Sequence, residues 1–185
     1  MKSRDLERLS LEDPLTGLAN RRELDRRLRE WLGQRARTGT PLAVALLDID
    51  HFKRVNDRYG HAVGDKVLKQ TADLIRGECR AIDVVARYGG EEFAVVLPGV
   101  DTAAAMAVCE RIRAAYARAS ALGGVPGIAL TLSAGVAGWT PGAGGDSLLD
   151  AADRAMYAAK RAGRNRVALA GGDAPAAAAP GATPG

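Results

Sequence analysis

Arg87-Tyr88-Gly89-Gly90-Glu91-Glu92-Phe93 joins two short strand-like runs, Asp83 to Tyr88 and Glu92 to Leu97. The dipeptide Gly89-Gly90 permits the positive φ angles of a tight turn, so the segment reads as a β-hairpin with two acids just past its tip. A hairpin in mid-chain needs sheet partners, and the sequence on either side supplies them. Residues 42–49, Leu-Ala-Val-Ala-Leu-Leu-Asp-Ile, are almost continuously apolar and read as a strand covered on both faces. That strand ends in Asp48-Ile49-Asp50, where a site is expected to open. Ile128 to Ala137 reads as a further strand, and Asn165 to Leu169 as a last short one.

Helical patterns fill the gaps. Asn20 is placed to cap a helix with Glu23 at the capping-box position. Leu24, Leu28, Trp31 and Leu32 then share one face until Gly33 to Thr40 breaks the pattern. After a short polar turn beyond Asp50, Val67, Leu68, Thr71, Leu74 and Ile75 form a second stripe from about Gly64 to Cys79. Thr102 to Ala119 makes a third, with Ala105, Val108, Ile112 and Ala115 inward, and Ser147 to Ala162 a fourth. Strands interleaved with helices predict an α/β (α+β) domain, one mixed sheet with helices over it.

The chain of 185 residues, 47% of them hydrophobic, is long enough for one such domain, expected over residues 13–169. Residues 1–12 alternate charge and leucine and read as the end of an upstream signalling helix or linker. Residues 170–185 are almost all Gly, Ala and Pro, cannot bury enough apolar surface to offset ordering entropy, and are expected to be disordered. No apolar run approaches the roughly 18 to 20 residues of a membrane span. Met1 to Leu11 is charged, unlike a signal peptide. The expectation is a soluble cytoplasmic domain, on its own or as the output domain of a larger protein, without membrane insertion of its own.

Cys79 and Cys109 lie in apolar helical patterns and are expected to be buried, reduced thiols. Residues 20–37 hold seven arginines against three acids, a surplus equal to the whole net charge of +4. Glu23 with Arg27, Asp25 with Arg29, and Arg26 with Glu30 have i,i+4 spacing, so this basic stretch reads as a solvated helix face rather than a nucleic-acid surface.

If the strand ending at Asp48 neighbours the hairpin, Asp48, Asp50, Glu91 and Glu92 converge without a histidine or cysteine among them. An all-oxygen set suits a hard cation such as Mg²⁺, which shares its shell with water and phosphate oxygens. Lys53, Lys160 and Arg164 could complement phosphates, and the glycines of the hairpin let a ligand approach the backbone closely. An Asn side chain offers donor and acceptor, and an Asp carboxylate can accept two parallel N–H bonds, as the N1 and N2 edge of guanine presents them. Asn56 and Asp65 have that chemistry, though both residue types also serve as helix caps.

Together these residues resemble the GGDEF family of diguanylate cyclases, over about Asp13 to Val167. Four motifs carry the likeness. Asp13 to Arg22 (DPLTGLANRR) is similar to the family's opening turn, and residues 46–65 (LLDIDHFKRVNDRYGHAVGD) to its metal and guanine segment. Arg87 to Phe93 matches the GG[DE]EF signature, and residues 152–165 (ADRAMYAAKRAGRN) the closing helix.

The resemblance implies a five-stranded, palm-like mixed sheet with a small hairpin. It implies that Asp48, the Ile49 carbonyl, Glu91 and Glu92 hold Mg²⁺ or Mn²⁺, two ions per site, with Glu91 also assisting deprotonation of the attacking 3′-hydroxyl. Asn56 and Asp65 would read guanine with His61 nearby. Lys53, Lys160 and Arg164 would hold the phosphates of GTP, with the backbone of His51, Phe52, Gly89 and Gly90 packed around them. His51 departs from the phenylalanine commoner in the family, which matters little if only its backbone is used. Two GTP molecules would meet across an antiparallel homodimer to give cyclic di-GMP. Arg80-Ala81-Ile82-Asp83, five residues before Gly89, resembles the RxxD product-inhibition site, with Arg111 as its secondary arginine.

Three rivals are weighed against this reading. A non-catalytic sensor of cyclic di-GMP or GTP should have lost acids or glycines from the hairpin, and all are present. An enzyme making cyclic GMP-AMP is disfavoured by Asp65, whose carboxylate matches guanine. The hairpin signature sets the chain apart from other cyclase- or polymerase-like enzymes.

Overall fold

A computed structural model of the protein describes residues 11–171. Apart from Leu11, Glu12, Ala170 and Gly171, the expectations for an upstream helix and a disordered tail lie outside the described residues. The chain folds as α1 (Arg21–Thr38), β1 (Leu42–Ile49), α2 (Phe52–Tyr59), α3 (His61–Glu78), β2 (Val84–Arg87), β3 (Glu92–Pro98), α4 (Thr102–Arg118), a 3₁₀ turn at Leu122–Gly124, β4 (Leu132–Gly138), α5 (Gly145–Arg161) and β5 (Val167–Leu169).

The five strands form one sheet in the order β2-β3-β1-β4-β5. Every neighbouring pair is antiparallel except β4 and β5, which run parallel. The mixed sheet is the expected one, and the hairpin lies inside it, its two arms supplying β2 and β3. All eight residues of β1 are buried, as its near-continuous apolar run requires of a central strand.

Successive side chains of a strand point to opposite faces, and two packed layers result. Ala43, Ala45 and Leu47 of β1, with Phe93 and Val95 of β3, pack under Ile75 of α3 and Ile112 of α4. Val44, Leu46, Ala94 and Val96 pack under Leu24 and Leu28 of α1 and Leu148 and Met156 of α5. At Gly135 of β4 a Cβ would lie 2.1 Å from the Ala152 carbonyl oxygen, so only glycine lets α5 sit this close to the sheet.

Several boundaries differ from the sequence expectation. The first helix does not stop at Gly33 but continues to Thr38, where Gly39 closes it at φ 70°. Its added turn is held by the Arg35 guanidinium, 3.3 Å above the Trp139 ring. The polar stretch after Asp50 is not a turn but the helix α2, because Phe52 and Val55 give it a buried face. The next helix accordingly starts at His61, with Gly60 at φ 85° turning the chain between the two.

The strand expected from Ile128 begins at Leu132, where pairing with Ile49 at the end of β1 also begins. The hairpin tip is wider than a two-residue turn. Tyr88 and Gly89 both donate to the Glu92 carbonyl, at 2.8 and 3.2 Å. Neither Gly89 nor Gly90 is among the positive-φ residues. A Cβ at Gly89 would lie 2.8 Å from Glu92 Oε2, so a larger residue there would displace the Glu92 carboxylate.

Candidate active site

The register places Asp48 opposite Glu92 across the β1–β3 pair. Directly opposite residues put their side chains on the same face, so these two carboxylates belong to one cluster. Glu91 follows at the hairpin tip, and its carbonyl accepts the Ile49 N–H at 3.4 Å. The signature hairpin and the end of the central strand are therefore one structural unit.

Asp48 is 4% exposed. Its buried Oδ1 atom is ion-paired with Lys160 Nζ of α5 at 2.9 Å. Burial pushes the Asp48 carboxyl above the usual carboxylate range; Lys160 offsets part of this, and the Asp50 charge adds to it. Glu91 and Glu92 are also raised, first by burial and then by the charge of Asp48. A buried Asp48 whose charge holds back the ionisation of Glu91 and Glu92 makes an all-oxygen set of the kind a hard divalent cation takes. Among the described residues no group of three or more His, Cys, Asp or Glu side chains is arranged to hold a metal ion by itself.

Asp50, the third acid of the sequence cluster, has a different task. Its carboxylate is 3% exposed and is already engaged. It accepts from Thr131 Oγ1 at 2.6 Å, Ser133 Oγ at 2.7 Å and the Asn165 N–H at 3.0 Å.

Asn56, His61 and Asp65 line one cavity of about 430 Å³ together with Phe52, Gly90 and Glu91. Lys53 borders it as well, its side chain 89% exposed and 3.9 Å from Asp57. Gly64, which sequence reading passed over, shapes this cavity. A Cβ there would lie 1.9 Å from Asn56 Oδ1 and 3.3 Å from the Phe52 ring.

Of the other residues expected to bind GTP, His51, Gly89, Lys160 and Arg164 do not line this cavity. His51 adopts φ 57° at the start of α2 and lines a different cavity with Asp50, Arg54 and Thr131. Lys160 meets the acids directly, and Arg164 stands four residues further on in the turn after α5. Gly89 packs against Glu92.

Arg80 and Asp83 line a separate cavity of about 410 Å³ with Arg76 and Cys79. Arg80 Nη2 donates to Asp83 Oδ1 at 2.7 Å and to the Pro98 carbonyl at 2.8 Å. Arg111 does not line that cavity. Its guanidinium is held by the Glu78 carboxylate at 2.6 Å and the Glu78 carbonyl at 2.7 Å. Burial pushes the Cys79 thiol up to about 12, so it is an unreactive neighbour of this cavity.

Sequence reading also missed what anchors the hairpin. Arg87 Nη1 donates to Asp13 Oδ1 at 3.2 Å, and its Nη2 to the Gly90 carbonyl at 2.8 Å. Asp13 in turn accepts from the Thr16 N–H at 2.9 Å and hydroxyl at 2.7 Å. The opening turn is thereby tied to the tip that carries Glu91. Arg21 adds to this, its guanidinium 4.5 Å from the centre of the Tyr88 ring.

The profile of the family described as "Diguanylate cyclase, GGDEF domain" matches residues 10–166. Diguanylate cyclase DgcP of Pseudomonas aeruginosa is 46% identical over 167 residues, 90% of this chain and 25% of that protein. Response regulator PleD of Caulobacter vibrioides is 40% identical over 163 residues, 86% of this chain and 36% of that protein. The chain thus spans about a quarter to a third of these relatives.

Among solved structures, the coiled coil and GGDEF domain of DgcB from Caulobacter crescentus in complex with c-di-GMP is similar, with a TM-score of 0.85 at 36% identity, covering 90% of this chain and 89% of that one. The active GGEEF domain of a diguanylate cyclase from Vibrio cholerae gives 0.77 at 34% identity, covering 83% and 97%. With its mixed sheet, its acids paired across β1 and β3, and this degree of likeness over most of its length, the chain belongs to the diguanylate cyclase GGDEF-domain family.

Proposed function

We propose that this domain is a diguanylate cyclase that joins two GTP molecules into cyclic di-GMP and releases two pyrophosphates. One observation carries the reading. Asp48, buried and ion-paired with Lys160, shares one acidic cluster with Glu91 and Glu92, and Glu91 also lines the cavity that holds Asn56 and Asp65. A base-reading pocket thus opens directly onto a cation-compatible carboxylate set.

In this reading Asn56 and Asp65 hydrogen-bond the guanine edge, with His61 beside them, and Lys53, Lys160 and Arg164 hold the phosphates. The backbone of His51, Phe52, Gly89 and Gly90 lets the polyphosphate approach closely. Asp48, the Ile49 carbonyl, Glu91 and Glu92 would hold Mg²⁺ or Mn²⁺, two ions per site, which would neutralise charge on the α-phosphate and the departing pyrophosphate. Glu91, raised by burial and by Asp48, is suited to take the proton of the 3′-hydroxyl as it attacks.

The attacked α-phosphate belongs to a second GTP, because one site holds one nucleotide. The reaction therefore requires two domains facing each other about a two-fold axis, as an antiparallel homodimer. Control of that dimer would rest with a sensor or regulatory segment upstream. Arg80 and Asp83, with Arg111, would bind the product away from the active site and restrain the enzyme. The forked guanidinium groups of Arg80 and Arg111 suit both phosphate and guanine.

Incubation with GTP and Mg²⁺ followed by chromatographic separation of the nucleotides tests the proposal. Cyclic di-GMP should accumulate, and Glu91→Gln should abolish it. No product at high protein concentration, or an unchanged rate in the variant, refutes the activity.

A further inference from the structure

We infer that Asp50 and Arg113 are positioning residues for the triphosphate, acting through the backbone of Arg164 and Asn165. This rests on the reading above, in which Arg164 meets phosphate. Gly163, Arg164 and Asn165 are three consecutive residues at positive φ, 120°, 63° and 47°. Glycine adopts such angles freely and asparagine tolerates them, but arginine does so at a cost. Strained backbone of this kind persists only where its surroundings over-determine it.

Here they do. The Asn165 N–H donates to Asp50 Oδ2 at 3.0 Å, and Asn165 Oδ1 accepts from Arg113 Nη1 at 2.6 Å. The Arg164 carbonyl accepts from Arg166 Nε at 3.1 Å, and the Arg164 N–H donates to the Ala159 carbonyl at 3.1 Å. Both ends of the clamp are themselves fixed. Asp50 is buried with two further donors, Thr131 and Ser133. Arg113 is held by the Glu110 carboxylate at 2.9 and 3.0 Å.

The clamp gathers the end of β1, the segment entering β4, and α4 onto one turn. That turn sets the direction in which the Arg164 side chain leaves the backbone. Freed of it, Arg164 relaxes toward negative φ and its guanidinium swings to a different part of the surface. Among the acids at the β1 end, Asp50 is the one whose oxygens are already taken up by protein donors, which explains an acid beside the cation site that is not needed as a ligand.

The test uses 3′-deoxy-GTP, which lacks the attacking hydroxyl, and guanosine, which lacks phosphate. Arg113→Met removes the donor to Asn165 while keeping an apolar stem, and it avoids the folding risk of Asp50→Asn, which is tested in parallel. Each variant should bind 3′-deoxy-GTP about tenfold more weakly, the loss expected of one charge-assisted contact, with guanosine affinity unchanged. In an Arg164→Ala background the Arg113→Met effect should vanish, since the two changes remove one contact. Equal losses for both ligands, or a full effect in the Arg164→Ala background, overturn the positioning role alone. If Arg164→Ala binds 3′-deoxy-GTP as the wild type does, the phosphate role of Arg164 falls and the positioning role with it.

Discussion

Lys160 Nζ lies 2.9 Å from Asp48 Oδ1, so the lysine of the closing helix reaches the first acid of the central strand. This single cation does not offset the burial of Asp48, Glu91 and Glu92, all of which sit above their ordinary carboxylate range. A carboxyl raised in the folded state is ionised in the unfolded chain first. As pH rises from below the unfolded value through the folded one, stability is lost, and the penalty is complete above the folded value. Glu92→Gln should therefore raise the melting temperature of the cation-free domain at neutral pH. For the wild type, the increase in melting temperature caused by Mg²⁺ should grow as pH rises through and above the ordinary carboxylate range. Thermal melts with and without Mg²⁺ read both; a variant that melts lower than the wild type contradicts the account.

Asp13 behaves oppositely. Burial alone would raise it, but hydrogen bonds from Thr16 and the Arg87 cation outweigh burial and hold it below its ordinary value. Its contribution is present above the unfolded carboxylate value and is lost as pH falls through the folded one. Asp13→Asn should lower the melting temperature at neutral pH by roughly 2–8 °C, from about 1–2 kcal/mol of lost hydrogen bonding in a domain of this size. The gap between variant and wild type should close in acid, which melts at several pH values will show.

These two acids also mark what the sequence made legible. Asp48, Glu91 and Glu92 stand out because they end an apolar run and follow a hairpin tip, but that β1 and β3 are neighbours, and the sheet order as a whole, came only from the structure. Asp13 and Arg87 are 74 positions apart, and no local periodicity links a turn residue to a strand end. Asp50 looked like a member of the acidic set because spacing cannot reveal which donors fold back onto an acid. The helix at Phe52–Tyr59 was hidden for a related reason: its buried face consists of two residues, Phe52 and Val55, too few to register as a stripe. Gly89 and Gly90 have the composition of turn formers, yet neither takes a positive φ, and Gly89 instead leaves room for the Glu92 carboxylate, a contact visible only in three dimensions.

Gly64 gives a sharp test of the cavity. Ala should be better than Gly within a helix by about 1 kcal/mol. At this position, however, its Cβ would overlap Asn56 Oδ1 at 1.9 Å and force that side chain aside. Gly64→Ala is thus expected to weaken GTP binding at least about tenfold, the loss of one well-formed hydrogen bond to the base. Circular dichroism should show the helix intact. GTP affinity equal to wild type would mean that Asn56 does not read the base.

Arg80, in the lining of the second cavity, and Arg111, outside it, test the proposed product site. In the free protein Arg80 spans Asp83 and the Pro98 carbonyl, while Arg111 is occupied by Glu78. A bound anion must compete with these partners, so product affinity depends on the forked geometry of arginine and not on charge alone. Arg80→Lys retains a cation for the Asp83 side chain, which is 2% exposed, and so avoids stranding a buried carboxylate. It should nevertheless bind cyclic di-GMP about tenfold or more weakly, and Arg111→Ala should do the same from the other side. Calorimetric titration with cyclic di-GMP reads the affinity, and progress curves with GTP should slow less as product accumulates. Wild-type affinity in Arg80→Lys would show that charge alone suffices, and wild-type affinity in both variants would place the product elsewhere on the domain.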